Sequence, residues 1–262
     1  MSHFATLIFE KEDAVASIIL NRPEVLNVYN LQMRDDLFSV FEAIQHDSEI
    51  RAVILRGAGE KAFCAGADLS EFLTAPSPLI ARQARWARDV WSLFLTAPPP
   101  LIAALQGYVL GSGLEMALCC DLRIASEDSR FGLPEVGLGI IPAAGGTQTL
   151  PRTIKRGWAL EMLLTNRWLS SREAYEIGLV NRVVAKETLL PAAEELAKRI
   201  ASFDPVAVKY AKKAIVQGLD LSLPEGLDLE RRLASHMNNR AEQKLDRGRS
   251  CSPPAVREKI KR

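Results

Sequence analysis

Apolar and polar positions follow two different periods along the first part of this chain. Between Thr6 and Leu20 the pattern is strand-like, with Thr6 to Glu10, a charged turn at Lys11-Glu12-Asp13, and Val15 to Leu20 predicting a hairpin. Asn21-Arg22-Pro23 breaks it. Met33, Leu37, Val40, Phe41 and Ile44 then recur at helical spacing, with Arg34, Asp35 and Asp36 beside them. Val53-Ile54-Leu55 is a short, wholly apolar run and reads as a buried strand. A loop from Gly59 to Gly66 follows. Ile80, Ala84, Ala87, Trp91 and Phe94 share one face of a helix predicted from Leu79 to Ala97, which Pro98-Pro99-Pro100 ends. Leu101 to Leu105 and Leu122 to Ala125 are the next strands, with a short helix between them.

The order strand, turn, helix is repeated without repeated sequence. It implies an α/β fold, with strands stacked against an outer layer of helices. From Lys186 onward the chain reads as helical, over 187–202, 205–217 and 223–237. Asp204-Pro205 and Ser222-Leu223-Pro224-Glu225 are the start signals of the last two helices. The expected division is a core over 1–190 and a C-terminal helical region over 191–262. The apolar faces of that region need cover, which points to self-association. Arg240 to Arg262 carries eight basic and three acidic residues and few large apolar ones, so it reads as a solvated, mobile tail.

Composition narrows the class. The chain has 262 residues, of which 48% are hydrophobic, enough to bury a sizeable core. A net charge of +1 gives no reason to expect a nucleic acid or a membrane surface as partner. No apolar run is long enough to span a bilayer, and no basic-then-apolar leader is visible. Cys64, Cys119, Cys120 and Cys251 form no C-x-x-C pair and read as reduced thiols of a cytoplasmic protein. His3, His46 and His236 are scattered, so no metal site is expected.

The candidate chemistry lies in two turns that each close on a glutamate. Glu115 ends Gly107-Tyr108-Val109-Leu110-Gly111-Ser112-Gly113-Leu114-Glu115, and Glu135 ends Phe131-Gly132-Leu133-Pro134-Glu135. Apolar surroundings raise a carboxylate pKa toward the range useful for proton transfer near neutral pH. Asp68 with Glu71, and Ser112 with Glu115, each fit a helix capping box. The amides of Ala67 and Ser112 would then sit at helix starts, where free N–H groups can bind developing negative charge. Read singly, Glu115 also fits a plain cap, Glu135 a turn residue, and Pro142-Ala143-Ala144-Gly145-Gly146-Thr147 a simple helix start. Phosphate-binding and nucleophile-elbow patterns fail. Met116 and Pro142 stand where G-x-G-x-x-G needs glycine, and Leu110 where G-x-S-x-G needs it.

Four segments taken in order carry more than any one of them: Asn21 to Asn27, Lys61 to Leu69, Gly107 to Asp121 and Phe131 to Gln148. Together they resemble the crotonase (enoyl-CoA hydratase/isomerase) family over roughly residues 5 to 235, and within it the hydratases. The resemblance implies a crotonase-like spiral of repeated strand–strand–helix turns with a C-terminal helical oligomerisation region building a homotrimer or a dimer of trimers. It implies an acyl-CoA thioester as substrate, with no cofactor beyond the coenzyme A that the substrate carries. The thioester oxygen would be held by the backbone N–H groups of Ala67 and Ser112, Ser112 standing where many relatives have glycine. Glu115 would help activate a water for attack on C3 of a 2-enoyl thioester, and Glu135 would protonate C2. Substrate-binding positions carried over are Leu26, Ala65, Ala67, Asp68, Leu69, Ser70, Gly111 and Ala143, with Trp86 as a candidate for the acyl pocket. The paired acids favour hydration over the alternatives of an enoyl-CoA isomerase or another crotonase-type acyl-CoA reaction; a non-catalytic acyl-CoA-binding or assembly subunit is the alternative of a different class. Glu24 and Ser70 stand where relatives often carry lysine near the CoA phosphates, and the segment after about His236 departs from the family's usual ending.

Overall fold

The computed structural model describes residues 2–71 and 88–250. By compactness the chain divides into Met1–Ser202 and Phe203–Arg262. The first unit opens with short strand β1 (Ser2–His3) and the expected hairpin, β2 (Leu7–Glu12) and β3 (Val15–Leu20), paired antiparallel. Helix α1 (Leu31–His46) follows, its N-terminus closed by Asn30, whose side chain accepts from the Met33 N–H. It buries Met33, Leu37, Val40, Phe41 and Ile44, the residues whose spacing predicts it. From there a unit recurs. β4 (Ala52–Gly57), β6 (Leu101–Leu105) and β8 (Leu122–Ser126) each continue into a shorter strand, β5 (Ala62–Cys64), β7 (Tyr108–Leu110) and β9 (Arg130–Gly132). Helices α2 (Val90–Thr96), α3 (Ser112–Cys119) and α4 (Gly146–Thr153) follow these short strands in turn. Next come α5 (Arg156–Thr165), β10 (Leu169–Ser170), α6 (Ser171–Glu176), β11 (Arg182–Val184) and α7 (Leu189–Ala201).

The long strands form a sheet of order β1-β2-β3-β4-β6-β8-β11, parallel from β3 onward. The short strands form a second sheet, β10-β9-β7-β5, in which β9, β7 and β5 are parallel. Alternate residues of β4 face opposite cores. Val53 and Leu55 pack with α1 and the hairpin, whereas Ala52 and Ile54 pack under α7 with Ile102, Ala104 and Ile124. Burial on both faces explains why this strand reads as unbroken apolar sequence.

Leu189, Ala193 and Ala197 of α7 complete the core on the second face of the large sheet, so α7 lies within the first compact unit. Two expectations change here. The helix expected over 79–97 is described only as Val90–Thr96. Asp89 precedes it as a non-helical cap, accepting from the Ser92 N–H, and 72–87, with Trp86, lie outside the described residues. The backbone of the tail is helical as far as Ser250, with 251–262 again outside the described residues.

In the second unit, α8 (Pro205–Gly218) and α9 (Leu223–Ser250) pack on each other. Both start signals act as expected. Asp204 accepts from the N–H groups of Val206 and Ala207, and Glu225 accepts from the Ser222 N–H and hydroxyl. Within this unit Ile215, Leu219 and Leu223 remain exposed.

One buried polar tie fixes α1 against the hairpin. Asp36 accepts from the Thr6 N–H at 2.8 Å and the Thr6 hydroxyl at 2.7 Å. Asp36→Ala leaves both donors buried and unpaired, at an expected cost of about 1–3 kcal/mol in urea unfolding. A change under about 0.5 kcal/mol would mean that the tie carries no stability.

Candidate active site

β5, β7 and β9 run parallel, so their C-terminal ends lie side by side. Ligands of open α/β sheets bind at such ends. β5 leads into Ala65-Gly66-Ala67, β7 into Gly111-Ser112, and β9 into a turn of 3-10 helix, Pro134–Leu138, that carries Glu135. Two glycines let the middle turn sit between its neighbours. Gly111 takes φ 50, ψ −125 and donates its N–H to the Gly132 carbonyl at 3.0 Å. A Cβ there would stand 3.1 Å from Glu135 Oε1 and 3.4 Å from the Gly66 Cα. At Gly113 a Cβ would come within 2.2 Å of the Cys64 carbonyl oxygen. The start of α3 therefore rests on the end of β5, an approach that only glycine permits.

The Asn21 to Asn27 segment is stitched to the same place. Leu26 and Asn27 hold left-handed φ values of 58 and 56. The buried Asn27 side chain accepts from the Arg22 N–H and donates to the carbonyls of Ala58 and Ala62. Ala65 N–H donates to the Leu26 carbonyl at 3.1 Å, Tyr29 N–H to Gly66 at 2.8 Å, and Asp68 N–H to Tyr29 at 2.8 Å. Leu26, Ala65, Ala67 and Asp68 are thus neighbours, with Leu69 and Ser70 in the next turn.

Neither expected capping box forms. Asp68 accepts from Ser70 and from both terminal nitrogens of Arg22, while Glu71 reaches away to the Leu31 N–H at the start of α1. The Ser70 bond and then Arg22 hold the Asp68 carboxyl below its ordinary range against the opposing effect of burial. Gly111, not Ser112, caps α3, and no side chain bonds at that cap. The two amides singled out in sequence stay unspent: among the described residues, neither the Ala67 nor the Ser112 N–H donates to a protein acceptor.

The acids are held in contrasting ways. Glu115, 2% exposed, accepts through Oε1 from the N–H groups of Ala144 at 3.0 Å and Gly146 at 2.8 Å. Burial pushes its pKa up, and the two amides pull against that. Glu135 is half-buried, and its Oε2 is shut from solvent with no hydrogen-bond partner among the described residues. Burial foremost, and then the charge of Glu115, push its pKa up to about 7. A carboxyl that changes its protonation near neutrality beside a second carboxyl that is also raised meets the condition that general acid–base chemistry needs. No group of three or more metal-ligating side chains occurs among the described residues, and none of the described helices is long and apolar enough to cross a membrane.

Comparison with known proteins gives the family. The family model for enoyl-CoA hydratase/isomerase matches residues 10–254. The chain belongs to the enoyl-CoA hydratase/isomerase family. It is 42% identical to a short-chain-enoyl-CoA hydratase of Clostridium acetobutylicum, over 86% of each chain. To a crotonyl-CoA hydratase of Syntrophomonas wolfei it is 38% identical, over 87% of each. The crystal structure of an enoyl-CoA hydratase from Bacillus anthracis superposes with a TM-score of 0.85 at 40% identity, covering 95% of this chain and 98% of that one.

Sequence reasoning missed the partners that set the site of this family member. Ala144 and Gly146 supply the amides on Glu115, whereas Ala143, the position carried over, is exposed and makes no bond to it. The adjacent Gly145 and Gly146 were the available signal: Gly145 has φ 106, and a Cβ on Gly146 would lie 3.0 Å from Glu115 Oε1. The Arg22–Asp68 pair, at 3.1 Å, had no local signal, because the residues lie far apart in sequence.

Two outcomes follow from this geometry. Gly113→Ala is expected to displace the β5 and β7 turns and lower kcat by about 100- to 1,000-fold, comparable to losing one oxyanion donor, with the circular-dichroism spectrum retained; wild-type kcat would contradict it. The raised pKa of Glu135 also has a stability consequence. Between the ordinary value of 4.5 and about 7 the folded chain holds a proton that the unfolded chain releases, so this residue's contribution to stability falls as pH rises through that window. Glu135→Gln should therefore melt higher than wild type above pH 7, with the gap closing below pH 4.5. Equal melting temperatures across the range would mean that the carboxyl titrates normally.

Proposed function

We propose that this protein is an enoyl-CoA hydratase, a hydro-lyase that adds water syn across the C2=C3 bond of a 2-trans-enoyl-CoA to give a 3-hydroxyacyl-CoA. One observation carries the reading: two carboxylates with raised pKa at the ends of β7 and β9, beside two unspent backbone donors. Glu115, whose carboxylate the Ala144 and Gly146 amides support against burial, accepts a proton from a water lying between the acids. The hydroxyl oxygen forms its bond to C3. As the double-bond electrons move toward the thioester, the Ala67 and Ser112 N–H groups take the charge growing on the carbonyl oxygen. Protonated Glu135 then gives its proton to C2. The proton left on Glu115 passes to Glu135 through the next water, which restores both acids, so one water is consumed per turnover and no oxidant or metal enters the balance.

Leu26, Ala65, Asp68, Leu69, Ser70 and Gly111 would bind the remainder of the acyl-CoA, with Ala143 near the water and Trp86 toward the acyl chain. The same reading takes the protein as cytoplasmic and as a homotrimer or dimer of trimers, with the apolar side chains left exposed on α8 and α9 in the interface.

The test is incubation with crotonyl-CoA, following loss of the enoyl-thioester absorbance with product mass detection. Gain of the mass of one water is expected; an unchanged mass with a moved double bond would favour isomerisation, and binding without turnover a non-catalytic subunit. Glu115→Gln and Glu135→Gln are each expected to lower kcat by about 100- to 10,000-fold while binding is kept. Activity of the wild type should fall with rising pH above about 7 as Glu135 loses its proton. It should fall on the acid side as Glu115 gains one.

A further inference from the structure

We propose that Asn166 and Trp168 are positioning residues that hold the turn carrying Glu135 from outside the site; the proposal rests on the hydratase reading. The two acids differ in what aims them. Glu115 is fixed by two amides from another segment, whereas no other residue donates a hydrogen bond to the Glu135 carboxyl among the described residues. The direction of Glu135 therefore follows the backbone of its own turn, and something must hold that turn.

The segment after α5 does so. Asn166 closes α5 in a left-handed conformation, φ 54, ψ 27. The chain then runs into β10, which pairs antiparallel with β9 through Leu169 and Phe131 and through Ser170 and Arg130. Asn166 and Trp168 both meet the Glu135 segment, while Arg167 turns off to Glu161, Glu173 and the Trp158 ring. Each meets a glycine. A Cβ on Gly132 would stand 2.6 Å from Trp168 Cδ1, and one on Gly137 2.0 Å from Asn166 Nδ2. Gly132 precedes Glu135 and Gly137 follows it, so the turn is pinned on both sides of the acid. The Tyr108 ring meets Trp168 edge-on at 6.1 Å and helps to set its orientation. The Oδ1 of Asn166 and the Oε2 of Glu135 are both buried oxygens without a partner among the described residues. A cost of that kind persists where function requires the arrangement.

Asn166→Gly tests this without loss of the fold, because glycine suits a left-handed helix end at least as well as asparagine. Measured on crotonyl-CoA beside wild type and Glu135→Gln, Asn166→Gly should keep its melting temperature and hold KM within about threefold. Its kcat should fall on the order of 10- to 100-fold, the scale of a small misplacement of a reacting group. The alkaline limb of its kcat/KM profile should move to lower pH, since a loosened turn readmits water to the carboxyl. Gly137→Ala should be strongly impaired alone and partly restored when combined with Asn166→Gly, which vacates the space for the new methyl. Trp168→Ala should repeat the kinetic pattern of Asn166→Gly. Wild-type kcat and pH profile in Asn166→Gly, with Glu135→Gln inactive, would overturn the proposal and leave the hydratase reading standing. Full activity of Glu135→Gln would instead overturn that reading.

Discussion

A main-chain approach governs the site. The turn after β7 touches the end of β5 at Gly113, where no β-carbon fits, and the turns after β5 and β9 at Gly111, where one would stand 3.1 Å from Glu135 Oε1. Close contact at those two positions brings together a free amide from each of two strands and a carboxylate from the third. Elsewhere in the core, side-chain volume can be redistributed among neighbours at modest cost. At Gly113 the obstacle is the Cys64 backbone, and at Gly111 the chain holds a φ of 50 that side chains rarely adopt, so a substitution at either moves the donors.

Burial of two like-charged acids so near each other is a standing cost, and the surrounding structure offsets it unequally. Glu115 receives two N–H donors from the Ala143–Gly146 turn, so its anion is partly solvated by the main chain. Glu135 has only its own backbone N–H, which burial outweighs, and its pKa is pushed up to about 7. Both carboxyls are raised by burial, but amides from another segment oppose that at Glu115 alone, and this unequal support sets apart a base and an acid from chemically similar side chains. The outer support of the Glu135 turn by Asn166 and Trp168 belongs to the same logic. A group that cannot be aimed by hydrogen bonds without lowering its pKa has to be aimed by its backbone.

Much of the fold was legible in sequence because it follows local periodicity. The α1 face, the hairpin and the starts of α8 and α9 are all written in spacing and capping residues. The α/β architecture follows from the alternation of those elements, and the motif glutamates stood out because glycine-rich apolar turns surround them. The capping boxes were misread. Asp68–Glu71 and Ser112–Glu115 have the right spacing, yet Arg22, Leu31, Ala144 and Gly146 compete for those carboxylates from distant segments. Local patterns carry no record of such long-range partners. The same holds for α7, whose assignment to the core depends on which sheet face lacked cover.

The claim at the centre is that unspent main-chain amides grip the thioester oxygen next to the two acids. Infrared spectroscopy of a carbonyl-labelled enoyl-CoA bound to the Glu135→Gln protein tests it most directly, because the substrate persists there. The account requires the thioester stretch to shift to lower frequency than in free solution, and the shift to diminish when Gly113→Ala is added. A bound carbonyl that absorbs as it does in water, or a shift indifferent to Gly113→Ala, would contradict it.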